Sequence, residues 1–109
     1  MDARRPTEFE QKVYDALCRV PKGKVTTYKA LAEVVRCGSP RAIGGAMRRN
    51  PFAPEVPCHR VLNAKLKLNG YQGQTKGEGL RRKRELLESE GVAVDDNGRV
   101  AREFLIERF

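Results

Sequence analysis

Two short helical patterns separated only by Gly38-Ser39-Pro40 constrain this chain more than any other feature of it. Upstream of the turn, Thr26 or Thr27 can cap a helix over Tyr28 to Val35, with Leu31, Ala32 and Val35 turned inward. Downstream, Ser39 can cap and Pro40 can take the first helical position, where its missing N–H costs nothing, for a helix running to Met47 or Arg48. Two short helices across a tight turn read as helix-turn-helix.

The flanks fit a small, mainly helical unit around that pair. Thr7, with Glu10 three residues on, can cap a first helix reaching Val20, in which Phe9, Val13, Ala16, Leu17 and Val20 recur at helical spacing. Pro21 and Gly23 end it, and Lys24 to Val25 form a short extended piece. Beyond the helix pair come a proline-bounded loop from Asn50 to Pro57, a compact apolar and basic segment from Cys58 to Leu62, and a polar loop or hairpin from Lys65 to Gly73. A long helix over Glu78 to Glu90 follows, then a small hairpin over Val92 to Val100 turning at Asp96-Asn97-Gly98. Phe104, Leu105, Ile106 and Phe109 are expected to pack on the core. With no repeat and no low-complexity linker, residues 1–109 read as one domain.

Several classes are set aside by composition. No stretch approaches the roughly 20 apolar residues that cross a bilayer, so a soluble protein without a membrane span is expected. Met1 to Gln11 is polar and charged, unlike a secretory signal, which makes an intracellular compartment the default. Three cysteines without CxxC spacing argue against a disulfide framework, and Cys18, Cys37, Cys58 and His59 lack the spacing of a metal site.

Charge is concentrated: Arg19 to Lys67 holds 11 basic and 2 acidic residues, while the rest of the chain is close to neutral. Such a field suits a polyanion such as nucleic acid, and reads equally as a solvated basic surface. The helix Arg41-Ala-Ile-Gly-Gly-Ala-Met-Arg48 bears on the choice, because each mid-helix Gly costs about 1 kcal/mol relative to Ala. Something must approach that face closely. Arg41, Arg48 and Arg49 at its rim make it the best candidate recognition helix, and tight packing in the core is the other reading; both can hold on opposite faces.

The sharpest chemical signal is Pro57-Cys58-His59-Arg60-Val61, which sets the chain's one histidine beside a cysteine in basic surroundings. A thiol with an ordinary pKa near 8.5 needs a base or a positive field to act as a nucleophile. On the bare pattern alone, a cysteine is more often a small buried apolar residue. Cys18 and Cys37 have no acid-base partner nearby in sequence.

These segments together, with Gly23-Lys-Val-Thr-Thr-Tyr28, Arg41 to Asn50-Pro51, Pro57 to Val61, Gly70-Tyr71 and Leu86-Leu-Glu-Ser-Glu90-Gly91, resemble the DNA-binding and active-site domain of the O6-alkylguanine-DNA alkyltransferases over about Phe9 to Gly91. The resemblance implies a winged helix-turn-helix with small β elements whose third helix enters the minor groove. Tyr28, Arg41, Gly44, Gly45, Ala46, Arg48, Arg49 and Arg60 would then be the DNA-contacting set, with Arg41 filling the stack left by a flipped guanine. It also implies a relay. Cys58 would attack the alkyl carbon on guanine O6, His59 would take the thiol proton through a water, Glu90 would orient the imidazole, and Tyr28 would donate to the departing base. Asn50 would tie the helix pair to the active-site loop, and Val61, Tyr71 and Gln72 would line the base pocket. Gln72 stands where many relatives have Ser.

The thioether product would end the reaction after one turnover, with no cofactor or metal. The implied partner is double-stranded DNA carrying O6-alkylguanine, met by a monomer, with cooperative loading on DNA left open. The related short alkyltransferase-like proteins bind and flip the lesion with another residue in place of the reactive cysteine, and hand it to nucleotide excision repair. Short architecture favours that reading; the complete set Cys58, His59 and Glu90 favours transfer.

Overall fold

The computed structural model describes residues 6–68 and 77–109. Helix α1 spans Glu8–Leu17 under a reciprocal cap: Thr7 Oγ1 accepts from the Glu10 N–H and the Glu10 carboxylate accepts from the Thr7 N–H, both at 3.1 Å. It stops three residues short of the Val20 expected from periodicity. Arg19 and Val20 instead bond back to Ala16 and Leu17, because a residue preceding proline is pushed out of the helical region and Pro21 follows. Val20 stays fully buried all the same.

Strand β1 is Thr26–Thr27, two residues beyond the extended piece expected at Lys24 to Val25, and it runs directly into helix α2, Tyr28–Val34. Thr27 serves both elements, since its hydroxyl accepts from the Ala30 N–H at 3.1 Å. Helix α3 spans Pro40–Arg48 with Ser39 capping the Ala42 N–H at 3.2 Å, as the turn chemistry predicts. A tight 3-10 turn at Cys58–Arg60 leads into β2, Val61–Leu62, which pairs in parallel with β1 so that Thr26 faces Val61 and Thr27 faces Leu62. Helix α4 spans Glu78–Ser89. In place of a regular hairpin over 92–100 there is a single antiparallel bridge between Val94 and Val100. Leu105 adds a parallel bridge to Val25, which brings the tail onto the sheet.

The strand pair joins two apolar clusters. Alternation along β2 sends Val61 into a cluster with Val13, Tyr14, Leu17, Leu31, Ile43, Met47 and Cys58, and sends Leu62 into another with Val25, Leu66, Leu87, Val92 and Val100. The first cluster glues the three N-terminal helices together; the second seats α4 and the tail. Among the described residues no helix is long and apolar enough to cross a membrane.

Candidate active site and nucleic-acid interface

Cys58 opens the turn that follows Pro57 and is 5% exposed. Asn50, at the end of α3, holds the loop between them from both sides: its Nδ2 donates to the Val56 carbonyl and its Oδ1 accepts from the Phe52 N–H, both at 2.9 Å. The same side chain hydrogen-bonds Cys58. Burial pushes the Cys58 thiol up, and the Asn50 hydrogen bond and the positive charge of Lys83 offset that only in part. The resting group is therefore a thiol that needs a base at the moment it reacts.

His59 is 1% exposed, and its Nε2 lies 2.9 Å from Glu90 Oε2. Glu90 reaches it because α4 ends in a Schellman motif: Val92 N–H bonds to Leu87 O and Gly91 N–H to Glu88 O, with Gly91 at φ +91°, where a side chain would be strained. Burial raises the Glu90 carboxyl, but hydrogen bonds from Arg60 and His59 outweigh it and hold the group below its ordinary range. An ionised Glu90 can only accept, so the proton between them sits on His59 Nε2 and Nδ1 carries the lone pair. Burial also keeps the imidazole neutral, lowering its pKa against the pull of Glu90. His59 Nδ1 is buried with no hydrogen-bond partner among the described residues. The unit is a neutral imidazole with one nitrogen tied and the other available as a base.

Arg60 corrects the sequence reading. Expected at the DNA surface, it is 8% exposed, with Nε and Nη2 each donating to Glu90 at 2.9 Å and Nη1 donating to the Val20 carbonyl at 2.6 Å. Its fork is consumed inside the protein, where it fixes Glu90 against the end of the α1 segment.

Tyr28 is the first residue of α2, one step past the β1–β2 pair that carries Val61, and it packs half-buried on the first cluster. Burial, and secondarily the Cys58 charge, raises its pKa, so the phenol keeps its proton at neutral pH and remains a donor. Val61 is fully buried and its carbonyl accepts from Lys83 Nζ at 2.7 Å. Tyr71 and Gln72 lie outside the described residues.

On α3, Arg41 and Arg48 are exposed, and Gly44 between them has nothing within 4 Å of where a Cβ would stand. Spacings of three and four place these residues on one open face. Gly45 and Ala46 do not share it. A Cβ on Gly45 would come within 3.3 Å of the Arg49 guanidinium, which folds back so that its Nε donates to Glu10 of α1 at 2.7 Å, and Ala46 is fully buried. Helical geometry turns adjacent residues by about 100°, so three consecutive small residues cannot all front one groove. The Ala46 carbonyl, in the last turn of α3, accepts from the buried Tyr14 hydroxyl at 2.8 Å.

Lys83 was missed from sequence, although a signal for it exists: spacing by fours puts it on the same buried stripe as Gly79 and Leu87. Cys18 is exposed and Cys37 partly buried, the latter accepting from the Ser39 N–H at 3.4 Å.

The family described as "6-O-methylguanine DNA methyltransferase, DNA binding domain" matches residues 8–92. A methylated-DNA–protein-cysteine methyltransferase of Thermococcus sibiricus is 49% identical over 87 residues, covering 79% of this chain and 46% of that protein. The chain thus spans about half the length of such curated relatives. Among solved structures, Mycobacterium tuberculosis OGT in complex with DNA is 44% identical at a TM-score of 0.72, covering 80% of this chain and 51% of that one. Schizosaccharomyces pombe Atl1, in complex with damaged DNA containing O6-carboxymethylguanine, is 33% identical at a TM-score of 0.73, covering 94% of this chain and 97% of that one.

Proposed function

We propose that this chain, which belongs to the 6-O-methylguanine DNA methyltransferase family through its DNA-binding domain, repairs DNA by moving the alkyl group of O6-alkylguanine irreversibly onto its own Cys58. The observation that carries this reading is the order Cys58, His59, Glu90: a buried thiol next to a neutral imidazole whose Nε2 is tied to a carboxylate at 2.9 Å and whose Nδ1 is left as an acceptor.

The reaction is a displacement at carbon. The thiol proton passes through a water to His59 Nδ1, sulfur bonds to the alkyl carbon, and the carbon–O6 bond breaks. Glu90 stabilises the imidazolium that results, and Arg60 keeps Glu90 ionised and in place. The electron pair from the broken bond goes to the guanine, which takes a proton from Tyr28 as it leaves, and the proton gained by His59 is released through solvent to restore the Tyr28 phenol. The C–S bond of the product offers no route back by hydrolysis, so each chain acts once. Double-stranded DNA is met by the open face of α3, with Arg41 in the stack left by the flipped base, Arg48 on phosphates, and Gly44 allowing close approach. Arg49 can join them on leaving Glu10. The family resemblance assigns Val61, Tyr71 and Gln72 to the pocket for the flipped base, and Asn50 holds the loop that bears Cys58. We take residues 1–109 to act as one unit, as a monomer inside the cell.

Intact-protein mass spectrometry after incubation with an O6-methylguanine duplex tests this, with peptide mapping. One added methyl per chain, mapped to Cys58 and absent in Cys58→Ala while that variant still binds the duplex, is the expected result. The second reading is a lesion binder that passes the site to excision-repair proteins, and the likeness to Atl1, whose structure is a complex with damaged DNA, supports it. Tight, lesion-selective binding with no mass change decides for it.

A further inference from the structure

The outer side of α1 borders a recess that the transfer chemistry does not use. It measures about 360 Å³ and is lined by Lys12, Asp15 and Arg19 of the α1 segment and by Val34, Val35 and Arg36 at the end of α2. Three cations there meet a single carboxylate. None of Lys12, Arg19 and Arg36 forms an ion pair with a described residue. A turn of about 100° per residue sets Lys12 about 160° from both Glu10 and Tyr14, the α1 residues that reach α3 through Arg49 and the Ala46 carbonyl. The recess therefore opens away from α3, whose own open face is offered to duplex DNA.

Arg36 is held in the wall of this recess at a conformational cost. Helix α2 ends in a Schellman motif, with Cys37 N–H bonding to Ala32 O at 2.8 Å and Arg36 N–H to Glu33 O at 3.1 Å, and this puts Arg36 at φ +59°. Glycine takes that position without strain, as Gly91 does after α4. What glycine would forgo is the exposed guanidinium. The lining also selects among anions. Val34 and Val35 give the recess an apolar floor, which a ridge of phosphates brings little surface to cover. Asp15 repels a phosphate at close range, but toward a polypeptide it is an acceptor: its Oδ1 takes the Gln11 amide at 2.9 Å, and Oδ2 is left for a peptide N–H. The guanidinium forks of Arg19 and Arg36 match carboxylates bidentately.

We propose that this recess is the docking site for an extended acidic segment of a partner protein, with Lys12, Arg19 and Arg36 on its carboxylates and Val34 and Val35 under an apolar side chain between them. The site shares no residue with the transfer machinery or the DNA face. It stays open while α3 is on DNA, and nothing in it depends on whether Cys58 accepts an alkyl group.

The test titrates the whole chain into a fluorescein-labelled peptide of repeated Glu-Glu-Leu and reads fluorescence anisotropy. The wild type binds, with an affinity that falls as salt rises. Arg19→Gln and Arg36→Gly each weaken binding about tenfold, the loss of one charge-assisted contact. Arg102→Gln, which removes an equal charge from the exposed tail, changes it by less than about twofold. A matched Glu-Glu-Ser peptide binds about fivefold more weakly, because it leaves the floor uncovered. Duplex affinity is the same in Arg19→Gln and Arg36→Gly as in wild type, and Arg36→Gly melts no lower. Failure of the wild type to bind the Glu-Glu-Leu peptide, equal losses in all three variants, or equal affinity for the two peptides overturns the proposal. So does a drop in affinity for undamaged duplex in Arg19→Gln and Arg36→Gly without one in Arg102→Gln, which would put nucleic acid in the recess.

Discussion

Glu90→Gln separates the two tasks that converge on one carboxylate. Glu90 accepts from His59 Nε2, Arg60 Nε and Arg60 Nη2, each at 2.9 Å, and its side chain is 10% exposed. The amide is the same size and its one oxygen can still accept, but its NH2 replaces the other oxygen and faces a donor, so Arg60 is left buried without a counter-charge and short of one acceptor. Removing one partner of a buried pair costs about 3–5 kcal/mol. At about 4–8 °C per kcal/mol for a domain near 100 residues, the melting temperature should fall by about 12 °C or more. The pH dependence carries the sign. The folded Glu90 pKa lies below 4.5, so its stabilisation is complete above the unfolded value and is lost as pH falls through the lower, folded one. The gap between wild type and Glu90→Gln is therefore widest at neutral pH and narrows as pH falls below 4.5 toward the lower, folded value. His59, whose folded pKa lies below 6.5, adds a loss on the acid side of 6.5, because the unfolded chain takes up that proton first. Calorimetry from pH 7 to pH 3 makes the measurement. A neutral-pH difference under about 4 °C, the size expected of a surface ion pair, would refute the reasoning.

Three further outcomes follow from the placement of particular side chains. Arg48→Ala should reduce the slope of log affinity against log salt for duplex DNA by about 0.9, whereas Arg60→Ala should leave it unchanged at a temperature where both remain folded; an equal loss would put Arg60 on a phosphate. Gly44→Ala meets open space within a helix and should stabilise the chain by about 1 kcal/mol in urea melts while weakening duplex binding, and unchanged binding would remove Gly44 from the interface. Tyr14→Phe leaves the Ala46 carbonyl without its hydroxyl donor and should cost about 1–2 kcal/mol, so a urea midpoint equal to wild type would show that this bond contributes nothing net.

The helix pair was legible in the sequence because its signals are local. Thr7, Thr27 and Ser39 each cap the N–H three residues on, and Pro21 and Gly91 end helices through their own backbone preferences. Interactions that reach only three or four residues can be read from spacing alone. So could the adjacency of Cys58 and His59 and the concentration of basic residues from Arg19 to Lys67.

What lay beyond that reach was settled by packing. Arg60 carries the same charge as Arg48, and nothing local distinguishes them. One turns inward because Glu90, 30 residues away in sequence, is delivered to it by the end of α4, and the other stays on the open face of α3. Gly45 and Ala46 looked like Gly44 until the turn of the helix put Arg49 over the first and the core over the second. Lys83 reads as an ordinary surface charge until its stripe is seated against β2, where it donates to the Val61 carbonyl. A charged side chain states its charge in the sequence, but the groups that neutralise, bury or use that charge come from elements distant along the chain, and those meet only when the two apolar clusters close around the strand pair.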